Sequence, residues 1–144
     1  MLKLPALKGT NHTTLRSAIF ITFSGNCKQA LTFYQYCFGG KLQFELFEKE
    51  LPGFNSMPVI SGSLVADEIA IHASDLVPDE GRIPGNCMAV YLQCKDVGSR
   101  TALIEKLVSR KPHQPVHPAR DQRLIEIIDA FEVRWMLGVV RHEP

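Results

Sequence analysis

Apolar and polar positions change their period several times along the chain, and each change predicts an element. Ile19 to Phe23 is an apolar run of strand length. Ala30, Leu31, Tyr34, Cys37 and Phe38 then recur at three- and four-residue spacing, which is one stripe of a helix. Asn26 precedes that helix as an N-cap, since its side chain can accept from a free N–H of the first turn. Gly39-Gly40 stops the helix, because glycine takes the left-handed backbone without a Cβ penalty. From Lys41 to Glu48 the period falls to two, with Leu42, Phe44 and Leu46 alternating against Gln43 and Glu45.

Lys49 to Met57 carries Pro52-Gly53 and Asn55-Ser56 and reads as a loop. Val59 to Ala66 and Ile69 to Ser74 form a hairpin across Asp67-Glu68. In its second strand Ile69, Ile71 and Ala73 face one way, and Ala70, His72 and Ser74 face the other. Asp75 to Asn86, with Pro78, Gly81, Pro84 and Gly85, reads as a linker. The pattern then starts over. Met88, Val90, Leu92 and Cys94 alternate with Ala89, Tyr91 and Gln93 as a strand. Val97 to Arg110 is a helix whose stripe is Ala102, Leu103, Leu107 and Val108. His113 to Pro118 is at most a short edge strand, because its prolines cannot donate to a ladder. Gln122 to Ile128 and Val133 to Val140 make a second hairpin, with Val133, Trp135, Leu137 and Val139 as its apolar face and Arg134, Met136 and Gly138 opposite. Strand, helix and hairpin thus occur twice, which suggests a duplicated supersecondary unit. Two such units, each sheet packed on its own helix, leave their other faces to line a shared concavity.

The stretch FITFSGNCKQALTFYQYCFGGKLQFELF, residues 20–47, resembles the opening of PhnB-like proteins, a branch of the vicinal oxygen chelate (glyoxalase/bleomycin-resistance/dioxygenase) superfamily. The resemblance resumes at Val59–Leu76 and Ile128–Leu137. It implies an α+β fold of two βαβββ modules with open half-barrel sheets, and a homodimer. The expected organisation is an arm over residues 1–17 and one domain over 18–144, made of modules 18–76 and 86–141 joined by a linker, 77–85. The resemblance also implies a divalent metal held by a His/Glu set drawn from the first and last strand of each module. Those positions fall near Ile19, at His72, near Ala89 and at Met136, so a single imidazole stands where three or four ligands are needed. Two further departures are Ser61, where the family often has a histidine, and Phe131-Glu132-Val133, where it usually reads Phe-Gly-Val.

Composition narrows the function class. A formal net charge of +1 with scattered basic residues gives no field to draw nucleic acid or an anionic membrane. No apolar run has the length to cross a bilayer, and Met1 to Ser17 lacks the apolar centre of a signal peptide. Cys27, Cys37, Cys87 and Cys94 form no C-x-x-C pair and read as reduced thiols in a cytoplasm. No G-x-S-x-G is present, and Gly39-Gly40 follows a helix rather than opening one, so it is no phosphate loop. Asp96, Glu105 and Lys106 read as a solvated helix face.

His72 is the leading candidate for chemistry, as an acid/base or ligand-binding group that titrates near neutral pH. Glu45, Tyr91, Gln93, Glu126 and Arg134 fall on the same cavity-lining alternates. The expected function is binding or sequestration of a small polar molecule without metal or other cofactor, as in resistance-type members of the superfamily. The alternatives are a metal-dependent lyase, isomerase or dioxygenase, and a structural dimer without ligand.

Overall fold

The computed structural model describes residues 17–47, 58–75, 81–111 and 122–141. Nearly all of the expected arm, the loops at 49–57 and 111–121 with the edge strand His113–Pro118, and part of the linker lie outside the described residues. Contacts divide the chain into two compact units on either side of Ile83 and Pro84, and each is taken by itself.

The first module runs β1 (Ile19–Thr22), α1 (Cys27–Phe38), β2 (Lys41–Leu46), β3 (Val59–Val65) and β4 (Ala70–Ser74). Its sheet has the order β1-β4-β3-β2. β1 lies parallel to β4, and the other neighbours are antiparallel. The alternation read from the sequence is the register seen: Phe44, Gly62 and Ala73 stand in one cross-strand row, and Leu42, Leu64 and Ile71 in the next. Helix α1 packs on that face. Leu31 reaches so close to Gly62 that a Cβ there would meet its Cδ1 at 2.8 Å. Leu31, Leu64, Ile71 and Ala73 are fully buried, and each buried aliphatic of leucine size contributes roughly 2 kcal/mol.

The start of α1 differs from the sequence expectation. Asn26 occupies the N-cap position but makes no side-chain cap, and its backbone (φ −113°, ψ 22°) is not the extended one from which a cap side chain reaches forward. Asp75, just past β4, does the work instead. Its Oδ1 accepts from the N–H groups of Gly25 (2.8 Å) and Cys27 (2.9 Å), and its Oδ2 accepts from Val59 N–H (3.0 Å). At the other end Gly39 and Gly40 turn the corner at φ +72° and +97°.

The second module runs β5 (Val90–Cys94), α2 (Val97–Leu107), β6 (Leu124–Ile128) and β7 (Arg134–Val139). Its sheet has the order β5-β7-β6, three strands among the described residues, again with the first and last strands parallel. Met88 and Ala89 precede β5 rather than opening it, and Met88 is exposed. The apolar face falls as the alternation required, with Trp135 and Leu137 fully buried. The α2 stripe is turned in part from the one expected. Leu107 and Val108 are buried as expected, but the first half of the stripe is Arg100 and Ile104 rather than Ala102 and Leu103, and Ala102 is exposed. The i, i+4, i+7 run through an arginine is hard to see when only apolar letters are counted. Asp96 is more than part of a solvated face, since its Oδ1 caps α2 by accepting from Ser99 N–H at 2.7 Å.

Between β6 and β7 the chain turns on Asp129. Its Oδ1 accepts from Phe131 and Val133 N–H, and its Oδ2 accepts from Trp135 Nε1. Glu132 in this turn has φ +66°, the left-handed region. A non-glycine residue held there carries roughly 1–2 kcal/mol of backbone strain. Glu132→Gly should therefore raise stability by about 1 kcal/mol after the loss of chain stiffness is allowed for. Urea denaturation of the two proteins checks this, and an unchanged or lower midpoint refutes it.

Candidate functional site

Strand register sorts the six candidate residues onto two sheet faces, each turned away from its own helix. In the first module Phe20, His72, Ser63 and Gln43 form one row across all four strands. Ser74, paired with Thr22, lies two residues beyond His72 on the same face, and Glu45, paired with Ser61, lies two beyond Gln43. The outer strands of this face are open: Glu45 is exposed, and Phe20 is 48% exposed. The middle is not, with Ser63 at 8%, His72 at 4% and Ser74 at 1% exposure. His72 has the expected facing but is closed off rather than standing free.

Two polar atoms in this buried centre, His72 Nε2 and Ser74 Oγ, have no hydrogen-bond partner among the described residues. Burial holds the His72 pKa below the ordinary imidazole value of 6.5, because the charged form loses hydration that nothing replaces. The ring is neutral at physiological pH, and its Nε2 can either donate or accept according to tautomer. Sequence reasoning placed Ser74 on this face without weighing it, and it passed over Ser63. The available signal was small hydroxyl residues at the same alternates as the histidine, in strands that are otherwise apolar.

In the second module Tyr91, Met136 and Glu126 form one row, and Gln93, Gly138 and Leu124 the next. Arg134, opposite Ile128, completes the face. All four candidates therefore share it. Glu126 and Arg134 hold each other in an ion pair; pairs this exposed contribute at most about 1 kcal/mol. The Tyr91 ring lies over Gly138, where a Cβ would meet the phenol oxygen at 2.7 Å. Glycine there lets the phenol rest on the sheet.

The metal that the superfamily resemblance implies does not fit these residues. The in-register neighbour of His72 on β1 is Phe20, and that of Met136 on β5 is Tyr91. Ile19 pairs with Ile71 on the helix side, and Ala89 precedes β5, so neither stands beside His72 or Met136 on this face. Neither pair makes a site for a divalent cation, an imidazole beside a phenyl ring in the first module or a thioether beside a phenol in the second. Among the described residues no three His, Cys, Asp or Glu side chains are grouped to hold a metal ion. A thiol nucleophile is also disfavoured on the first module: Cys27 is fully buried and its pKa is pushed up to about 12, by desolvation and then by the Asp75 charge. A hollow of about 560 Å³ runs along α2 past Val97, Gly98, Thr101, Ala102 and Glu105, but none of the six candidates lines it.

No protein-family model and no curated protein matches the sequence. Solved structures do match. Protein PA1353 from Pseudomonas aeruginosa is 21% identical, with 88% of this chain and 98% of that one covered at a TM-score of 0.69. A PhnB protein from Bacillus cereus is 17% identical, with 88% and 100% covered at 0.66. A glyoxalase/bleomycin resistance protein/dioxygenase domain from Frankia is 12% identical, with 92% and 96% covered at 0.56. The chain has the glyoxalase/bleomycin-resistance fold. At these identities the likeness is one of fold, and it agrees with the family resemblance carried by residues 20–47. Among the described residues no helix is long and apolar enough to cross a membrane. On this sheet His72 has Phe20 as its partner on β1.

Proposed function

We propose that the protein binds a small polar molecule without a metal ion, on the helix-remote face of the first module's sheet. The observation that carries this is the pair of unsatisfied buried atoms, His72 Nε2 and Ser74 Oγ, on one face of β4 beside buried Ser63. A buried donor or acceptor left unmade costs roughly 1–3 kcal/mol. A molecule that supplies both partners recovers that energy on binding, which gives it a selective advantage over apolar competitors. Because the imidazole is neutral, the matching groups are uncharged ones, such as a hydroxyl, an amide or a carbonyl.

Thermal-shift measurements over a panel of polar metabolites test the reading, since binding to the native state raises the melting temperature by mass action. The His72→Ala protein should bind whatever is found more weakly by roughly 1–3 kcal/mol. Equal shifts in both proteins, or no shift with any compound, would count against it. Stoichiometric zinc, nickel, manganese or iron in the purified protein would favour metal-dependent chemistry instead.

The same histidine predicts a pH effect. Its pKa is lower folded than unfolded, so below about pH 6.5 the unfolded chain binds more protons than the native one, and stability rises with pH through that window. Above the unfolded value the contribution is flat. Wild type should therefore lose more stability between pH 7 and pH 5 than His72→Gln does. Parallel curves for the two proteins would show that the imidazole is not desolvated.

A further inference from the structure

The second module contains a buried charge that the proposed function does not use. Arg100 stands on the buried side of α2 and is 1% exposed. Its Nη1 donates to the Gln122 carbonyl oxygen at 2.7 Å, which ties α2 to the approach of β6. Its Nε is buried and has no partner among the described residues. Among the described residues its side chain makes no ion pair, and the bond to Gln122 is the one side-chain hydrogen bond it makes. Its companions on the buried stripe, Ile104 and Leu107, are apolar and fully buried. The acids of the same helix are engaged elsewhere or turned away: Asp96 caps Ser99, and Glu105 is exposed on the flank.

A guanidinium differs from the imidazole of the first module in one decisive respect. It cannot relieve its burial by losing a proton. An uncompensated ion inside a protein is strongly unfavourable, and a counter-charge with good geometry offsets that penalty. The single bond to Gln122 offers a neutral carbonyl, not a charge. With Nη1 committed, the free edge of the guanidinium is the Nε–H and Nη2–H pair. Two parallel donors of this kind match two oxygens of a carboxylate or phosphate.

We propose that Arg100 is the receptor for a small oxyanion, a carboxylate or a phosphate, held side-on by Nε and Nη2 where α2 meets the approach to β6. The anion neutralises the buried cation and completes the second module. This site is independent of the sheet face described above.

The test replaces chloride with inorganic phosphate, and in a second arm with acetate, at fixed pH and ionic strength. Wild-type protein should show a rise in melting temperature that saturates with one of the two anions, and the arm that responds identifies the class. Arg100→Met keeps the apolar stem and removes the charge. It should lose the saturable rise and, in chloride alone, melt no lower than wild type. The Arg100 Nε–H resonance of the wild-type protein should move along a saturable curve in the same titration, which reads the site directly even if the variant folds poorly. The same anion response in wild type and Arg100→Met, or an Nε–H resonance that neither anion moves, overturns the proposal and leaves Arg100 as a tie between α2 and Gln122.

Discussion

Asp75→Ala is expected to destabilise the protein by roughly 4 kcal/mol. The carboxylate is 2% exposed and satisfies three backbone N–H groups, those of Gly25, Cys27 and Val59. Truncation strands all three, each at roughly 1–3 kcal/mol, with some recovery by entering water. It also removes a negative charge from the N-terminus of α1, where the helix dipole favours one. Asparagine is a poor substitute despite its shape. Both carboxylate oxygens accept, so an amide must turn its NH2 group towards a donor on one side. Urea unfolding followed by circular dichroism should place Asp75→Asn close to Asp75→Ala. An Asp75→Asn protein within about 1 kcal/mol of wild type would mean that the Val59 bond contributes almost nothing.

Gly40→Ala should cost about 3 kcal/mol through the backbone alone. Its φ of +97° is a region that L-residues rarely adopt. The added Cβ would overlap the Val65 carbonyl oxygen and come within 2.8 Å of Ala66 Cα, and neither is the end of a flexible side chain that can swing aside. Gly39→Ala is the control. Gly39 is also left-handed, at φ +72°, but has open space where its Cβ would go, so it should suffer only the strain of roughly 1–2 kcal/mol. Equal losses at the two positions would show that the contact with β3 has no energetic weight.

The contrast between Asn26 and Asp75 shows what was legible in the sequence. Alternation and helical spacing report which side of an element is dry, so the strands, both helices and the facing of His72 and Met136 could be read in order. A cap supplied from nearly fifty positions away leaves no local pattern, and the nearest plausible residue, Asn26, was credited instead. Arg100 was missed for a related reason. A charged letter breaks an apolar stripe on paper, whereas in the fold its long stem can lie in the core beside Ile104 and Leu107. The positions near Ile19 and Ala89 could be given only approximately, because a single step of strand register changes a residue's partner, and in the fold the partners of His72 and Met136 are Phe20 and Tyr91. Glu132 is the opposite case: it stands where the resemblance implies a glycine, and its φ of +66° lies in the left-handed region that favours one.

In both modules the first strand pairs in parallel with the last, Ile19 with Ile71 and Val90 with Trp135, and makes no other described pairing. During synthesis this arrangement sets an order of events. β1 leaves the ribosome first, yet the strand that will receive it comes only after α1, β2 and β3 have been made. Until then β1 is a short apolar strand with unmet hydrogen bonds, open to the same strand of a neighbouring nascent chain. Asp75 follows β4 directly, so the residue that seals the start of α1 arrives as the β1 vacancy closes. Each module's sheet thus closes only when its last strand emerges, and a translational pause that keeps β4 inside the ribosome would hold the growing chain at its most adhesive.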